Sequence, residues 1–319
     1  MKLRGWVLDE FESVRSVRRA PFRRDLCGEG ALFRSHVEEH DMYDTIIYEV
    51  NDPVATITLN RPEAMNAWTN SMDREIREAV AKASADPAVV GIIVTGAGRA
   101  FCAGADMNLL SNISSGDESS NDAGSAVAEG EAAADSNGDF DGRFPFLMTT
   151  PKPIIAAING AVAGMAFPFS LCCDLRVGTD KSLFLTAFAQ RGLIAEWGIG
   201  WLLPKLVGPS VALDLLMSSR RVTGVEAKEL GLLNHVVDNP DDLLPWCRNY
   251  ITELAEKCSP TSMAIMKQQV YEHLHQGMGE AESEAAKLMV ESFGRPDFAE
   301  GVQSFVEKRP PSFSRIGDN

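Results

Sequence analysis

Long apolar runs are absent from the sequence. No stretch approaches the roughly 20 apolar residues that a membrane-spanning helix needs, and no basic segment followed by an apolar one precedes a cleavage site. Cysteine is also scarce: the chain has 6, without a Cys-X-X-Cys pair or a regular spacing. We therefore expect a cytoplasmic protein with no membrane partner, with reduced, buried cysteines and with no bound metal.

Positive charge is in deficit as well. The 319 residues include 30 lysines and arginines against 45 aspartates and glutamates, which gives a net charge of -15. This charge excludes a general nucleic-acid or anionic-membrane binder, because its long-range field repels polyphosphate. A small anionic ligand is still compatible with it, since a few local Lys or Arg side chains can override the global field.

Apolar periodicity is weak in one segment, and large apolar residues are scarce in another. Residues 1–41 contain a basic stretch of the kind found in transit peptides, but nearby acidic residues break that pattern, so we interpret them as an N-terminal extension outside the core. Residues 111–142 are rich in Ser, Gly, Ala, Asp and Glu and contain no Lys or Arg. They cannot bury enough apolar surface to be ordered alone, which predicts a mobile acidic insertion, either a plain surface loop or a lid.

Elsewhere the apolar residues follow strand and helix periods in alternation. β-Branched runs at residues 45–50 and 54–59 predict a β-hairpin, and strands and helices then alternate. This order predicts an α/β fold with covered sheets over residues 42–223, followed by a helical C-terminal subdomain at 224–319. The oligomerisation role of that subdomain is implied only by the family resemblance given below. The intervening predictions are helices at 66–85 and 164–173 and strands at 89–95 and 153–159.

Two glycine-containing turns each lead from a strand into a helix. The first turn is residues 100–106 and the second turn is residues 159–165. Both place free N–H groups at a helix start, where they can hold a developing oxyanion without reorganising. One such turn is weak evidence, but two on neighbouring units are expected to converge on one site. Cys102, in the first turn, is interpreted as a packing residue rather than a nucleophile.

A series of short motifs carries a resemblance to a known family. Over roughly residues 43–309 the chain resembles the crotonase superfamily, which is the enoyl-CoA hydratase/isomerase family. The motifs, in the family's order, are LNRPEAMNA at 59–67, FCAGAD at 101–106, KPIIAAING at 152–160, CD at 173–174, GL at 192–193, LPKLVG at 203–208 and FVEKR at 305–309.

The resemblance implies a spiral of ββα units plus a helical C-terminal region, assembled as homotrimers or hexamers. It also implies an acyl-CoA thioester substrate, with coenzyme A as part of the substrate and no separate cofactor. The thioester oxygen would lie between the N–H groups of Ala105 and Met165. Phe305 and Lys308 match a Phe and a Lys that reach the adenine end of CoA, often across a subunit boundary.

Further positions carry over to contacts with the substrate or CoA. The basic candidates for the CoA phosphates are Arg61, Lys152 and Lys308, while Asp106 is expected to order the first turn. The remaining positions are Ala64, Ala67, Ala103, Gly104, Asp106, Met107, Gly164, Pro168, Phe188 and Trp197.

Two positions depart from the pattern of the family's hydratases. Counting from the Asn-Gly pair at residues 159–160 places Pro168 and Phe188 where hydratases carry the two glutamates that position and activate water. Neither side chain can accept a proton, and general acid–base help is typically worth about 100- to 10,000-fold. These residues therefore predict a poor hydratase.

Glu196 is the carboxylate that remains close to these positions. It falls where the related peroxisomal-type Δ3,Δ2-enoyl-CoA isomerases have their catalytic glutamate, and Met165 matches the larger residue that those isomerases have in place of a hydratase glycine. One base can take a proton from C2 and return it to C4, so a single carboxylate suffices for a double-bond shift. We therefore predict an enoyl-CoA isomerase in which Glu196 is both acid and base.

Other assignments remain open at this point. Glu196 could be an N-terminal helix acid or a surface residue, or it could serve an atypical enoyl-CoA hydratase. A glutamate here could also attack the thioester, as in the family's hydrolases. Finally, the chain could be a non-catalytic acyl-CoA-binding protein. The apolar neighbours Ile194, Ala195 and Trp197 favour a functional role for Glu196.

Overall fold

The computed structural model describes residues 43–106 and 140–317. The predictions about residues 1–41, about Met107 and about nearly all of the acidic insertion at 111–142 lie outside these residues.

The strands of the described residues form two sheets. They are β1 (Ile46–Asn51), β2 (Val54–Leu59), β3 (Gly91–Gly96), β4 (Ala100–Cys102), β5 (Ile154–Ile158), β6 (Ala161–Ala163), β7 (Leu175–Thr179), β8 (Leu183–Leu185), β9 (Val222–Thr223) and β10 (His235–Val237). The larger sheet has the order β1-β2-β3-β5-β7-β10 and the smaller one the order β4-β6-β8-β9. Pairing is antiparallel in the predicted hairpin β1–β2 and between β8 and β9, and parallel elsewhere.

A repeated pair of strands generates this arrangement. In each of the pairs β3–β4, β5–β6 and β7–β8, the first strand joins the larger sheet and the second joins the smaller one. A short turn joins the two strands of each pair and leads from the larger sheet into the smaller one. The helices are α1 (Asn70–Ala85), α2 (Phe146–Thr149), α3 (Ala166–Cys172), α4 (Ile199–Val207), α5 (Pro209–Ser218), α6 (Gly224–Glu229), α7 (Leu243–Lys257), α8 (Pro260–His273), α9 (Met278–Ser292) and α10 (Pro296–Glu307).

Helix α1 shows how local chemistry sets a boundary. The helical period predicted a start at residue 66, but Met65 and Asn66 have left-handed backbones, with φ of 52° and 56°. Non-glycine residues rarely adopt that conformation, and it cannot continue into a right-handed helix. The helix begins instead after Thr69, whose side chain accepts a hydrogen bond from the Met72 N–H.

The core lies on both faces of the larger sheet. Strand β5 is apolar and buried along its whole length, as expected for a parallel strand that is covered on both sides. One face packs with α1, α3 and the smaller sheet. The other face packs against α7 through Leu243, Cys247 and Ile251. Burial of each such side chain contributes about 1.5–3 kcal/mol.

The C-terminal helices were predicted correctly, but the region beyond residue 223 is not purely helical. Helices α6 to α10 occupy the segments with helical periodicity. The prediction missed β10, which lies between α6 and α7 and pairs in parallel with β7. A strand of three residues is too short to show a period of two, so the alternation could not reveal it. Residues 224–257 therefore belong to the sheet core as well as to the helical region.

The described residues also bear on the predictions of buried cysteines and of no membrane-spanning helix. Within the described residues, Cys102, Cys172, Cys173 and Cys247 are buried free thiols, as predicted, while Cys258 is partly exposed. Across residues 43–106 and 140–317, no helix is both long enough and apolar enough to cross a bilayer.

Candidate active site

Two asparagines of the sequence motifs hold the loop that precedes the first turn. The Asn66 side-chain amide donates to the carbonyls of Ala97 (2.9 Å), Ala100 (2.9 Å) and Phe101 (3.2 Å). The Asn159 amide donates to Ala100 from the other side, at 3.3 Å. These bonds pin the backbone between β3 and β4, so the motif asparagines are structural rather than reactive.

The first and second turns touch each other through their glycines. Gly104 has a φ of 97°, and a Cβ added to it would lie 2.8 Å from the Ala163 carbonyl oxygen. A Cβ on Gly164 would lie 3.7 Å from the Cα of Gly104. The backbones are thus in van der Waals contact, and only glycine permits this approach at Gly104. The structure brings together the two turns that the sequence singled out.

Each turn carries a backbone N–H with no hydrogen-bond acceptor among the described residues. Ala105 forms an isolated bridge with Trp68, in which the Trp68 N–H donates to Gly104 (2.7 Å) and the Asp106 N–H donates to Trp68 (3.1 Å). This pairing uses the amides on either side and leaves the Ala105 N–H unpaired within residues 43–106 and 140–317. Met165, which precedes α3, has an unpaired N–H in the same sense. The two donors are therefore available to a ligand oxygen.

Glu196 lies in a turn that leads into α4. We call residues 192–198 the Glu196 turn; it is bounded by Gly192 and Gly198, with φ of 71° and 74°. The side chain of Glu196 is half-buried. Desolvation by this burial raises the pKa of the carboxyl above its ordinary value, and a side-chain hydrogen bond with Trp197 opposes the rise. Glu196 is thus a stronger base than an ordinary surface glutamate.

An aromatic cluster connects the Glu196 turn with the first and second turns. The cluster consists of Trp68, Phe144, Phe169 and Trp197. Trp197 and Phe144 have ring centroids 5.9 Å apart, Phe144 and Trp68 5.3 Å, and Trp68 and Phe169 4.8 Å. Trp68 is hydrogen-bonded to the first turn, and the Phe169 N–H donates to Met165 at 3.3 Å. These contacts therefore link Trp197, the residue after Glu196, to both turns that carry the N–H donors.

Pro168 and Phe188 are apolar and buried, as their sequence implies. Pro168 lies inside α3, and Phe188 immediately precedes the short 3-10 turn Ala189–Arg191. Neither side chain can donate or accept a proton in acid–base chemistry. Cys102 is buried too, which raises its pKa to about 12, so this thiol is not a nucleophile at neutral pH.

Several positions assigned to substrate contact lie around the first turn. Among them, the Arg61 side chain is hydrogen-bonded to the protein itself. Both terminal guanidinium nitrogens of Arg61 donate to Asp106 at 3.0 Å, and one also donates to the Ala67 carbonyl at 2.6 Å. Asp106 therefore orders the turn, as expected. The backbones of the other assigned positions join the same loop: Ala67 N–H donates to Ala64, and Ala103 N–H donates to Met65.

Lys152 corrects the expectation of a phosphate contact. Its side chain is buried, and its ammonium donates to the carbonyls of Ala83 (2.9 Å) and Asp86 (2.5 Å). Desolvation by burial lowers its pKa to about 8. Lys152 thus caps the end of α1, where cations are favoured, and cannot reach a ligand. The position of Lys152 in the sequence, just before the buried strand β5, was a signal that its side chain could be buried.

Phe305 and Lys308 lie at the end of α10, far along the sequence from the first turn, the second turn and the Glu196 turn. Phe305 is 79% exposed, and Lys308 is an exposed residue with a φ of 55° that ends the helix. Their contact with CoA stays a prediction. Two residues that sequence reasoning missed, Asp73 and Arg143, lie beside Trp68 and Trp197. No motif contains them, and 70 residues separate them along the chain.

Comparison with known proteins decides the family. The model of the family described as enoyl-CoA hydratase/isomerase matches residues 49–315. The chain belongs to the enoyl-CoA hydratase/isomerase family. It is therefore an enzyme, and the crotonase-like fold of ββα units with a helical C-terminal region is confirmed by solved structures of the family.

Relatives of this family match most of the chain. A probable enoyl-CoA hydratase of Rhodobacter capsulatus is 32% identical over 273 residues, which are 85% of this chain and 98% of that protein. The 1,2-epoxyphenylacetyl-CoA isomerase of Escherichia coli is 30% identical over 280 residues, which are 86% of this chain and 99% of that protein. A Geobacillus kaustophilus enoyl-CoA hydratase structure has a TM-score of 0.73 at 30% identity, covering 85% of this chain and 98% of that one.

Proposed function

We propose that this family member is an enoyl-CoA double-bond isomerase of the peroxisomal-type Δ3,Δ2 pattern. The observation that carries the proposal is one half-buried carboxylate, Glu196, joined by the aromatic cluster to two turns that each present a free N–H. Pro168 and Phe188 occupy the positions at which the family's hydratases have glutamates. The site thus contains one proton-transferring side chain where hydration would use two.

The reaction needs no group beyond these. Glu196 removes a proton from C2 of a 3-enoyl thioester, and the electron pair forms the C1–C2 double bond of a dienolate. The N–H groups of Ala105 and Met165 hold the negative charge on the thioester oxygen. When the oxygen's charge returns to the carbonyl, the double bond moves to C2–C3, and C4 takes the proton from Glu196. Atoms and electrons balance without a co-reactant, and the raised pKa suits a base for a weakly acidic C–H.

Hydration is the second candidate, and a specific observation favours it. Most of the relatives are named as hydratases, including the crotonyl-CoA hydratase of Syntrophomonas wolfei. In that case Glu196 would have to activate water alone. Hydrolysis through an acyl-Glu196 intermediate and simple acyl-CoA binding use the same contacts, but simple binding does not explain why a carboxylate is held in a half-buried position.

The CoA part of the substrate is assigned on the family's pattern. The adenine end would be met by Phe305 and Lys308, which are exposed and therefore accessible to a neighbouring subunit in a homotrimer or hexamer. The acyl thioester would pass the loop of Ala64, Ala67, Ala103 and Gly104. We propose a cytoplasmic location for this activity.

Incubation of the unmodified protein with trans-3-hexenoyl-CoA or trans-2-hexenoyl-CoA in heavy water tests the proposal. Mass spectrometry and chromatography separate the positional isomers from the 3-hydroxyacyl product, which is heavier by one water. We expect rapid conversion of the 3-enoyl to the 2-enoyl thioester and slow hydration of the latter. Accumulation of the 3-hydroxyacyl product faster than isomerisation would establish the hydratase instead.

A further inference from the structure

A buried ion pair lies between the two tryptophans of the aromatic cluster. The Asp73 carboxylate accepts hydrogen bonds from the Arg143 Nε at 2.9 Å and from the Trp68 indole N–H at 3.2 Å. The Arg143 guanidinium carbon lies 5.0 Å from the ring centroid of Trp197. The side chains of Arg143 and Asp73 are only 11% and 16% exposed. The pair therefore joins Trp68 to Trp197 in a site largely shielded from solvent.

Each of the two tryptophans belongs to a different part of the site: Trp68 to the first turn and Trp197 to the Glu196 turn. Trp68 is bonded through its backbone on both sides of Ala105, so its position fixes the first turn. Trp197 follows Glu196 directly, so a shift of its ring displaces the backbone that carries the Glu196 side chain. We propose that Asp73 and Arg143 are positioning residues that hold Glu196 at a fixed distance from the N–H group of Ala105. This inference rests on the function proposed above.

Backbone hydrogen bonds from Leu193 to Phe188 and from Ile199 to Glu196 close the two ends of the Glu196 turn, but few side-chain contacts hold it. Leu193 and Ile194 are 40% and 79% exposed, and nothing lies within 4 Å of a Cβ built on Gly192 or Gly198. Trp197 also adopts a left-handed backbone with a φ of 54°, which costs free energy and persists only where surrounding contacts impose it. Its ring contacts with Arg143 and Phe144 are such contacts.

Stability alone does not account for this pair. Buried ion pairs often contribute little to folding, because desolvation of both charges offsets their attraction. The planar guanidinium, by contrast, can bond a carboxylate with its edge while its face lies on an indole, which makes it a geometric spacer. Reaction rates depend steeply on such geometry, since a misplacement of about 1 Å can cost about 100-fold in rate.

Arg143→Met, Arg143→Lys and Asp73→Asn test the inference in the full chain. Methionine keeps much of the apolar volume but removes the fork, and asparagine keeps the acceptor for Trp68 but removes the charge. For Arg143→Met we expect kcat with trans-3-hexenoyl-CoA to fall about 10- to 100-fold while KM changes less than about threefold. Lysine keeps the charge without the fork and should restore only part of the rate. Arg220→Met is the matched control, because Arg220 pairs with Asp214 and Glu226 at the surface.

Amide hydrogen exchange gives a readout that needs no reaction. Exchange in peptides covering residues 192–198 should be faster in Arg143→Met than in the unmodified protein and unchanged in Arg220→Met. Unchanged exchange together with an unchanged kcat would overturn the inference, as would a change confined to KM. If Arg143→Met fails to fold, Asp73→Asn decides the question with the same readouts.

The outcomes separate this inference from the proposed function. Failure of the proposed function appears in the unmodified protein, as absent isomerisation or as dominant hydration. The exchange measurement would then still show whether Arg143 fixes the Glu196 turn, and the kcat comparison would be made on the reaction observed. Normal isomerisation with variants that match the control would overturn the positioning role alone.

Discussion

At the scale of single residues, Glu196 illustrates a conflict between stability and function. Burial favours the uncharged carboxyl, so its pKa is higher in the folded chain than in the unfolded one. A group with a raised folded-state pKa adds stability below its unfolded pKa of about 4.3, and this contribution is lost as pH rises through the folded value. At neutral pH the ionised Glu196 therefore lowers stability.

Substitution of Glu196 by glutamine should consequently not harm the fold. We expect Glu196→Gln to have a melting temperature equal to or above that of the unmodified protein at pH 7 to 8, with the difference vanishing below about pH 4. Differential scanning calorimetry across this pH range measures the difference. The variant Glu256→Gln makes the same substitution at an exposed position and serves as the control. A lower melting temperature for Glu196→Gln at pH 7 would contradict the burial argument.

The same pKa shift should appear in the pH profile of catalysis. Because Glu196 must be ionised to accept the C2 proton, kcat/KM should fall as pH decreases through its pKa. That midpoint should lie above the ordinary glutamate value of about 4.3. Steady-state rates of isomerisation between pH 4 and 9, with stability checked at each pH, locate the midpoint. A profile that stays flat down to pH 4 would show that Glu196 is not the base.

At the scale of elements, the close approach of β-strand turns fixes the site. A Cβ on Gly160 would lie 2.1 Å from the Arg99 carbonyl oxygen and 2.9 Å from the Cα of Ala100. All of these contacts are with backbone atoms, so relief requires the two turns to separate. The first and second turns can therefore meet only when this position carries no side chain.

Gly160→Ala should destabilise the chain and weaken the site together. We expect a loss of about 2–3 kcal/mol in the free energy of unfolding, the upper part of the usual range for overpacking, measured by urea titration. Gly200→Ala is the control: its Cβ would meet only the Ala195 side chain, at an ordinary 3.6 Å, inside α4. Alanine there should be neutral or stabilising, because glycine is a poor helix former. Equal stability of the two variants would refute the close approach.

Periodicity predicted many of the long elements, but it missed the short strands and also helices α4 and α5, which have 9 and 10 residues. The hairpin β1–β2, the buried strands β3 and β5 and the C-terminal helices all extend far enough to show a period. Strands β4, β6, β8 and β10 contain three residues each, and their pairing is set by neighbours distant in sequence. The motifs gave the two turns, but not the Asp73–Arg143 pair, because nothing local requires an aspartate and an arginine 70 residues apart to meet.

At the scale of the whole molecule, the end of α10 exposes apolar surface. Val302, Phe305 and Val306 are 50%, 79% and 73% exposed. Contiguous exposed apolar residues commonly mark an interface, and the family's pattern indicates a trimer or hexamer. Light scattering should therefore give a mass of about three or six times the chain's 34.7 kDa. The variant Phe305→Asp should weaken this assembly and raise KM, and a monomeric unmodified protein at micromolar concentration would contradict the expectation.

The account as a whole depends on Glu196, and the kcat of Glu196→Gln with trans-3-hexenoyl-CoA tests it most directly. Glutamine keeps the size of the side chain but cannot take a proton. We predict a fall in kcat of at least about 100-fold, or about 3 kcal/mol of barrier, with the affinity for unreactive hexanoyl-CoA and the kcat of the Glu256→Gln control unchanged. Isomerisation by Glu196→Gln at a rate close to that of the unmodified protein would contradict the account.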